Sequence, residues 1–218
     1  MIRTGENTVV FDMGNGSLQK LLSVCPLDKL SAVVLSHLHY DHLCDIFILD
    51  YAVGYLGAPK IQLYAPESPE NMCKQLRELK NIDYHSIDEK SRLNVGSLDI
   101  TFFPVLHPVA TYAVKCVDCD GRTAVYTADT VSCDGLAGFA KEADLLIADA
   151  CLLEEDTKKL PVKHMTARQA AELAEEAGCG SLILSHLLPI HADEEYEKEA
   201  RMIFDKSSAA QELKDIFV

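Results

Sequence analysis

The sequence predicts a layered α/β (α+β) fold, and three observations carry that expectation. Strand-length apolar runs dominate the N-terminal part, helices and strands alternate afterwards, and several apolar runs close on a histidine or an aspartate. Strand runs followed by βα alternation suit sheets packed face to face with helices outside. The 218 residues suffice for one sizeable domain, and no repeat, low-complexity tract or linker divides them. A single domain over 1–218 is therefore expected.

The elements follow in order. "TVVFDMGNG" (8–16) reads as a strand ending in a glycine turn, with Gly14 and Gly16 as turn residues because glycine tolerates positive φ. "LSAVVLS" (30–36) is continuously apolar, as a strand buried on both faces must be. Residues 45–57 read as a helix, "IQLYA" (61–65) as a strand, and "SPENMCKQLRELKN" as a helix entered through Ser-Pro. Residues 97–106, 111–117 and 122–129 are successive strands, the last two joined by an Asp120-Gly121 turn. Beyond them "CDGLAGFAKEA" is helical, "DLLIAD" a strand, "TARQAAELAEEAG" a helix, "SLILSH" a strand and 193–204 a final helix. Thr166 and Gln169 form a capping box for the alanine-faced helix, and Gly178 ends it.

Composition narrows the function. Lys and Arg total 20 against 34 Asp and Glu, a net charge of −14, which repels polynucleotides unless a basic patch is concentrated locally. No apolar run reaches the roughly 18–20 residues of a membrane span. Met1 is not followed by a signal-peptide pattern, so a cytoplasmic protein without membrane association is expected. The eight cysteines include one close pair, Cys116 and Cys119; without a second such pair it reads as hairpin thiols rather than a zinc ribbon.

Three of the eight histidines fall within "HLHYDH", directly after the buried 30–36 strand. Residues i and i+2 at the end of an extended segment share a face, so His37 and His39 can converge on one ion, with Asp41 and His42 following on the loop. A catalytic zinc keeps three protein ligands and one open position, so further donors are required. His107, Asp129 and His186 supply them, each closing an apolar run as His37 does. One rim of the sheets should therefore be a metal cleft. His85 and His191 do not close strands in this way and are assigned surface or supporting roles, while Leu38 and Tyr40 line the entrance.

The His37-Leu-His39-Tyr-Asp41-His42 run resembles the H-x-H-x-D-H signature of the metallo-β-lactamase fold superfamily of hydrolases. His107, Asp129 in "TADT" and His186 in "LSH" match its later motifs in order. The resemblance implies an αββα four-layer sandwich with the site at one edge. It implies two zinc ions, His37, His39 and His107 on the first, Asp41, His42 and His186 on the second, and Asp129 bridging, with manganese as the alternative metal. It also implies a chain short of the family's first N-terminal strand, because Met1 falls almost inside the opening element. The strand edge so exposed would favour a homodimer.

His164-Met-Thr166 before the alanine-rich helix resembles the H-x-T element of the tRNase Z (ribonuclease Z) branch and its related phosphodiesterases. There a histidine contacts the scissile phosphate, so the resemblance gives His164 a catalytic role, with Asp149 as its support. Lys158, Lys159 and Lys163 form a local basic cluster that could attract an anion. The tRNA-gripping arm of that branch is absent: only 22 positions separate His107 from Asp129, and a strand–turn–strand hairpin fills them. The expected activity is a dizinc phosphodiesterase with a metal-bridging hydroxide as nucleophile, oriented by Asp41, acting on a small or flexible phosphodiester. Three alternatives stay open: tRNase Z-type RNA cleavage, hydrolysis of a carboxylic ester, thioester, lactone or β-lactam on the same site, and a metal-stabilised binding module without turnover.

Overall fold

The computed structural model describes residues 1–5 and 7–217. Among the described residues twelve strands form two sheets. The first holds β1 (Ile2–Thr4), β2 (Asn7–Phe11), β3 (Leu30–Val34), β4 (Ile61–Pro66) and β5 (Ile82–Ile87) in that spatial order. β2 to β5 run parallel, and β1 lies antiparallel on β2. The second holds β6 (Arg92–Val95), β7 (Leu98–Pro104), β8 (Tyr112–Val117), β9 (Thr123–Tyr126), β10 (Leu145–Asp149), β11 (Leu182–Ser185) and β12 (Ser207–Ala209), again in order. β6 to β9 form antiparallel pairs, and β9 to β12 are parallel.

Between the sheets lies a core of Val9, Ala32, Val34, Ile87, Ile100, Phe102 and Val114. The outer face of the first sheet is covered by α1 (Ser17–Val24), α3 (Asp45–Leu56), which follows a single turn, α2 (Tyr40–Leu43), and α4 (Glu70–Arg77); Leu43, Ile46, Leu49, Val53, Met72 and Leu76 pack in a second core there. The second sheet is covered by α6 (Ala167–Ala177) and α7 (Asp193–Arg201), with α5 (Leu136–Phe139) at its flank. This is the expected αββα arrangement. The alanine face of α6, Ala167, Ala170, Ala171, Ala174 and Ala177, is buried, since small side chains let a helix sit close on a sheet. Its capping box is present, Thr166 Oγ1 accepting the Gln169 amide and Gln169 Oε1 accepting the Thr166 amide, and Gly178 ends it at φ 68°.

Some expectations are corrected. The strand at 8–11 is not an open edge, because Ile2, Arg3 and Thr4 pair with Val9, Thr8 and Asn7. The helix expected across "CDGLAGFAKEA" shrinks to the single turn of α5: Gly135 takes φ 87°, Gly138 weakens the centre, and Glu142 turns to φ 54°. The helix α1 and the polar strands β5, β6 and β12 were not anticipated. Gly14 is not a positive-φ residue. A Cβ there would stand 1.7 Å from the carbonyl oxygen of Asp41, so glycine is required by close approach of the 12–14 loop to the histidine run. Gly14→Ala should therefore cost about 1–3 kcal/mol in overpacking, read as a lower melting temperature and a shifted urea midpoint.

Candidate metal centre

Four strand ends deliver the site. β3 leads into Ser36 and His37, β7 into His107, β9 into Asp129 and β11 into His186. Three residues at the ends of β2, β9 and β11, Asp12, Ala128 and His186, hold positive φ of 57°, 56° and 60°. Such left-handed turns cost a non-glycine residue on the order of 1–3 kcal/mol and persist only where the surroundings over-determine them. Here they redirect the chain at the rim as β2, β9 and β11 end.

His37, His39 and His107 form one group. His39 Nδ1 lies 3.1 Å from His37 Nε2 and 3.1 Å from His107 Nε2. A ring nitrogen carries one lone pair or one proton, so Nδ1 cannot satisfy two such neighbours in their planes. The spacing is close to the edge of about 3.3 Å of a tetrahedron with zinc–nitrogen bonds of roughly 2.0–2.1 Å. Asp41, His42, Asp129 and His186 form the second group. Asp129 Oδ2 lies 3.3 Å from His42 Nε2 and 3.8 Å from His37 Nε2, while Oδ1 lies 3.2 Å from His186 Nδ1. Its carboxylate thus faces both groups. His42 Nε2 and Asp129 Oδ1 are buried without a hydrogen bond of acceptable geometry. A divalent cation is what such orphaned donors fit, so the residues present suit a metal.

The tautomers are set by Asp12. Its Oδ1 accepts the Ser36 amide at 2.7 Å, and its Oδ2 accepts the Ser36 hydroxyl at 2.7 Å, the Tyr126 hydroxyl at 2.8 Å and His42 Nδ1 at 2.8 Å. With the Ser36 proton given to Asp12, Ser36 Oγ is left to accept from His37 Nδ1 at 3.0 Å. Both Nε2 atoms are then free to face a cation, the arrangement by which outer hydrogen bonds orient metal-binding imidazoles. Asp12, Ser36 and Tyr126 were not anticipated. Asp12 closes an apolar strand as Asp129 does, and that signal could have found it. Asp12→Ala should weaken metal affinity 10–100-fold, measured by competition with a chromophoric chelator; unchanged affinity would remove its orienting role.

The electrostatics agree. Burial, reinforced by charge on His42, pushes His37 down to about 3, and burial pushes His107 down to about 4. Both are neutral donors. Burial opposes a cation on His42, but the carboxylates of Asp12 and Asp129 outweigh it and raise His42 to about 10. A proton there meets a demand for positive charge that a metal at Nε2 would also meet. Burial works against the Asp129 carboxylate too, yet His42, His186 and His37 hold it well below the ordinary range.

His164 stands beside this cluster, grouped with His107 and Asp129. Its Nδ1 is 2.8 Å from Asp149 Oδ2, and Asp149 is fixed by the amides of Thr130 and Cys151 at 2.9 and 3.1 Å. Burial disfavours the His164 cation, but the Asp149 hydrogen bond and charge outweigh it and raise its pKa. The structure therefore brings together all seven anticipated ligands and His164, with Asp149 as the support expected of it. Tyr40 is exposed at the rim, and Leu38 is buried in the core rather than at an entrance. His85 stacks on Tyr64 and bonds Gln62 away from the cluster, and His191 bonds the buried Asp156 at 2.8 Å. All eight cysteines are free thiols. Cys151 lies with His164 and His186, its thiol pushed up to about 12 by burial and by Asp149. Among the described residues no helix is long and apolar enough to cross a membrane.

Comparison with known proteins places this geometry. Residues 7–187 match the family model described as a beta-lactamase superfamily domain. The probable metallo-hydrolase YhfI of Bacillus subtilis is 34% identical over 210 residues, covering 94% of this chain and 85% of that protein. The crystal structure of the metallo-beta-lactamase fold protein YhfI superposes with a TM-score of 0.89 at 31% identity, over 96% of this chain and 87% of that one. A ribonuclease Z of Myxococcus xanthus is 25% identical over 98% of this chain and 92% of its own. A diphosphatase from the PhnP family shares the fold, with a TM-score of 0.79 at 19% identity over 99% of this chain and 82% of that one. On the family match and the fold together, the chain belongs to the metallo-β-lactamase superfamily.

Proposed function

We propose that this protein is a metal-dependent hydrolase that cleaves a phosphodiester at a two-cation centre, zinc being the metal the donor set favours over manganese. One observation carries the phosphodiester reading: a proton-bearing imidazole, His164, held by the buried Asp149 beside the ligand cluster. Relatives named as ribonuclease Z and as a diphosphatase support phosphorus as the reacting centre, and YhfI supports the metallo-hydrolase class. His37, His39 and His107 would hold the first cation, Asp41, His42 and His186 the second, and Asp129 both. Bound there, the cations would supply Lewis acidity toward a phosphoryl oxygen and toward the nucleophilic water.

The chain's own residues do the rest. Asp41 has its side chain 64% exposed, so its carboxylate can meet solvent and accept a proton from the attacking water. His164 carries a proton that can pass to the departing oxygen, while Asp149 fixes the ring through Nδ1 and leaves Nε2 to face the substrate. The hairpin of β8 and β9, turning at Asp118 to Arg122, occupies the interval between His107 and Asp129. With the charge of −14 this favours a small or flexible diester over folded tRNA.

The pH dependence follows in sign. His164 is raised above the ordinary imidazole value of about 6.5. It is protonated below its own pKa and loses that proton as pH rises through it, so turnover should fall on the alkaline side of that raised pKa. Asp149→Asn removes the charge that raises His164 and should move the alkaline limb toward lower pH; an unmoved limb would exclude His164 as the acid. The reading as a whole is tested by metal analysis of the purified protein and side-by-side assays. The panel holds a chromogenic phosphodiester, a lactone, a nitrocefin-like lactam and pre-tRNA. Turnover of the lactone or lactam alone would overturn it in favour of acyl chemistry.

A further inference from the structure

One buried thiol beside the ligand cluster takes no part in the hydrolytic steps. Cys151 is 3% exposed, and among the described residues its sulfur makes no hydrogen bond. The buried thiols of Cys73 and Cys179, by contrast, donate to the carbonyls of Pro66 and Ala140. The Cys151 backbone is held on both sides: its amide donates to Asp149 Oδ1 at 3.1 Å, and its carbonyl accepts the Tyr196 hydroxyl at 3.2 Å. Register then decides its neighbours. Asp149 pairs with Ser185 and the Ala150 amide bonds the Ser185 carbonyl, so the chain enters His186 alongside. Leu152 bridges in parallel to Thr166, which sets the His164 segment beside Cys151 as well. The sulfur, a ring nitrogen of His164 and a ring nitrogen of His186 accordingly lie within 4.8 Å of one another.

We propose that Cys151, His164 and His186 form an inhibitory site for a soft divalent cation, cadmium or zinc in excess of the hydrolytic centre. The donor set selects that class: one sulfur and two imidazole nitrogens suit thiophilic ions and disfavour magnesium or manganese. The spacing suits it too. Zinc–sulfur and zinc–nitrogen bonds of about 2.3 and 2.0–2.1 Å put donors roughly 3.5 Å apart at tetrahedral angles, and side-chain torsions close the remaining roughly 1 Å. An ion has a way in, because the His186 side chain is 27% exposed. As the sulfur–metal bond forms, the thiol gives its proton to solvent and no electron is transferred. Inhibition follows in two ways. His186 also belongs to the group of Asp41, His42 and Asp129, so an ion on Cys151 withdraws a ligand from the second cation. The same ion binds the ring of His164 in place of the proton destined for the leaving oxygen. This second effect rests on the phosphodiesterase reading; binding of the ion does not.

The test is a cadmium titration of the metal-loaded full chain, followed by the ultraviolet thiolate-to-cadmium charge-transfer band and, in parallel, by hydrolysis rate. Imidazole and carboxylate ligands give no such band, so it reports sulfur alone. Wild type should show a band, and the part of it that Cys151→Ser removes should saturate at one ion per chain. Relative to its own uninhibited rate, Cys151→Ser should need at least 10-fold more cadmium for half inhibition. Far-UV circular dichroism checks that the variant is folded. His164→Ala, which keeps the thiol, should show the same band with half-saturation at least 10-fold higher. A wild type without the band overturns the proposal, as does a band that Cys151→Ser keeps whole, which would assign it to other thiols. A half-saturation unmoved in His164→Ala removes His164 from the site, and a band without inhibition overturns the inhibitory role. The band is read without substrate, so a protein that shows it yet hydrolyses only lactones refutes the phosphodiester reading and leaves the site standing.

Discussion

Asp129→Ala is expected to lose both cations and to lower turnover at least about 1,000-fold, roughly 4 kcal/mol of barrier. The argument is positional. The carboxylate stands 3.3 Å from His42 Nε2 and 3.2 Å from His186 Nδ1, with His37 Nε2 at 3.8 Å, so it faces both sets of donors. Its removal leaves imidazoles opposed across an apolar methyl, with Asp41 the one carboxylate left among the seven ligands to offset two divalent ions. Elemental analysis should show the metal content falling from two per chain to below one. The same variant deprives His42 of one of the two carboxylates that raise it to about 10, so its proton should be lost at lower pH in an NMR titration. Retention of two cations by the variant would exclude a bridging role for Asp129.

His164→Ala is expected to keep its metal and lose 10²–10⁴-fold in turnover, the range for a positioned general acid. His164 packs on the ligand cluster, its ring stacked on that of His186, but its hydrogen bond goes to Asp149, outside the two ligand groups. A proton donor matters most where the leaving oxygen is basic. The loss should therefore be large for an alkyl phosphodiester and small for a nitrophenyl one, whose leaving group needs no proton. Equal losses on both substrates would point instead to stabilisation of charge on the phosphoryl oxygens.

Most of the site was legible because ligand-type residues at strand ends are visible in one dimension. His37, His107, Asp129 and His186 each follow an apolar run, and the two packed sheets gather those strand ends at one rim. What was not legible depends on distance through the chain. Tyr126 reaches Asp12 across 114 positions, and nothing in "AVYTAD" announces that contact. Ser36 reads as the last residue of a strand, yet its hydroxyl sets the tautomer of His37. The role of Gly14 depended on a backbone approach that no local pattern encodes. α5 was overestimated because helical periodicity was read across two glycines, and β5 and β6 were missed because polar faces obscure alternation.

The two sheets contribute unequally to the rim, and that division has a mechanical consequence. Asp12, His37, His39, Asp41 and His42 come from the first sheet, and His107, Asp129 and His186 from the second. An ion seated among them would rivet one half of the sandwich to the other, in the manner of a cross-link whose strength scales with free metal concentration. Stripping the protein with a chelator should then loosen the seam between the halves first, leaving each half's helix-backed layer intact at temperatures where the seam has already opened.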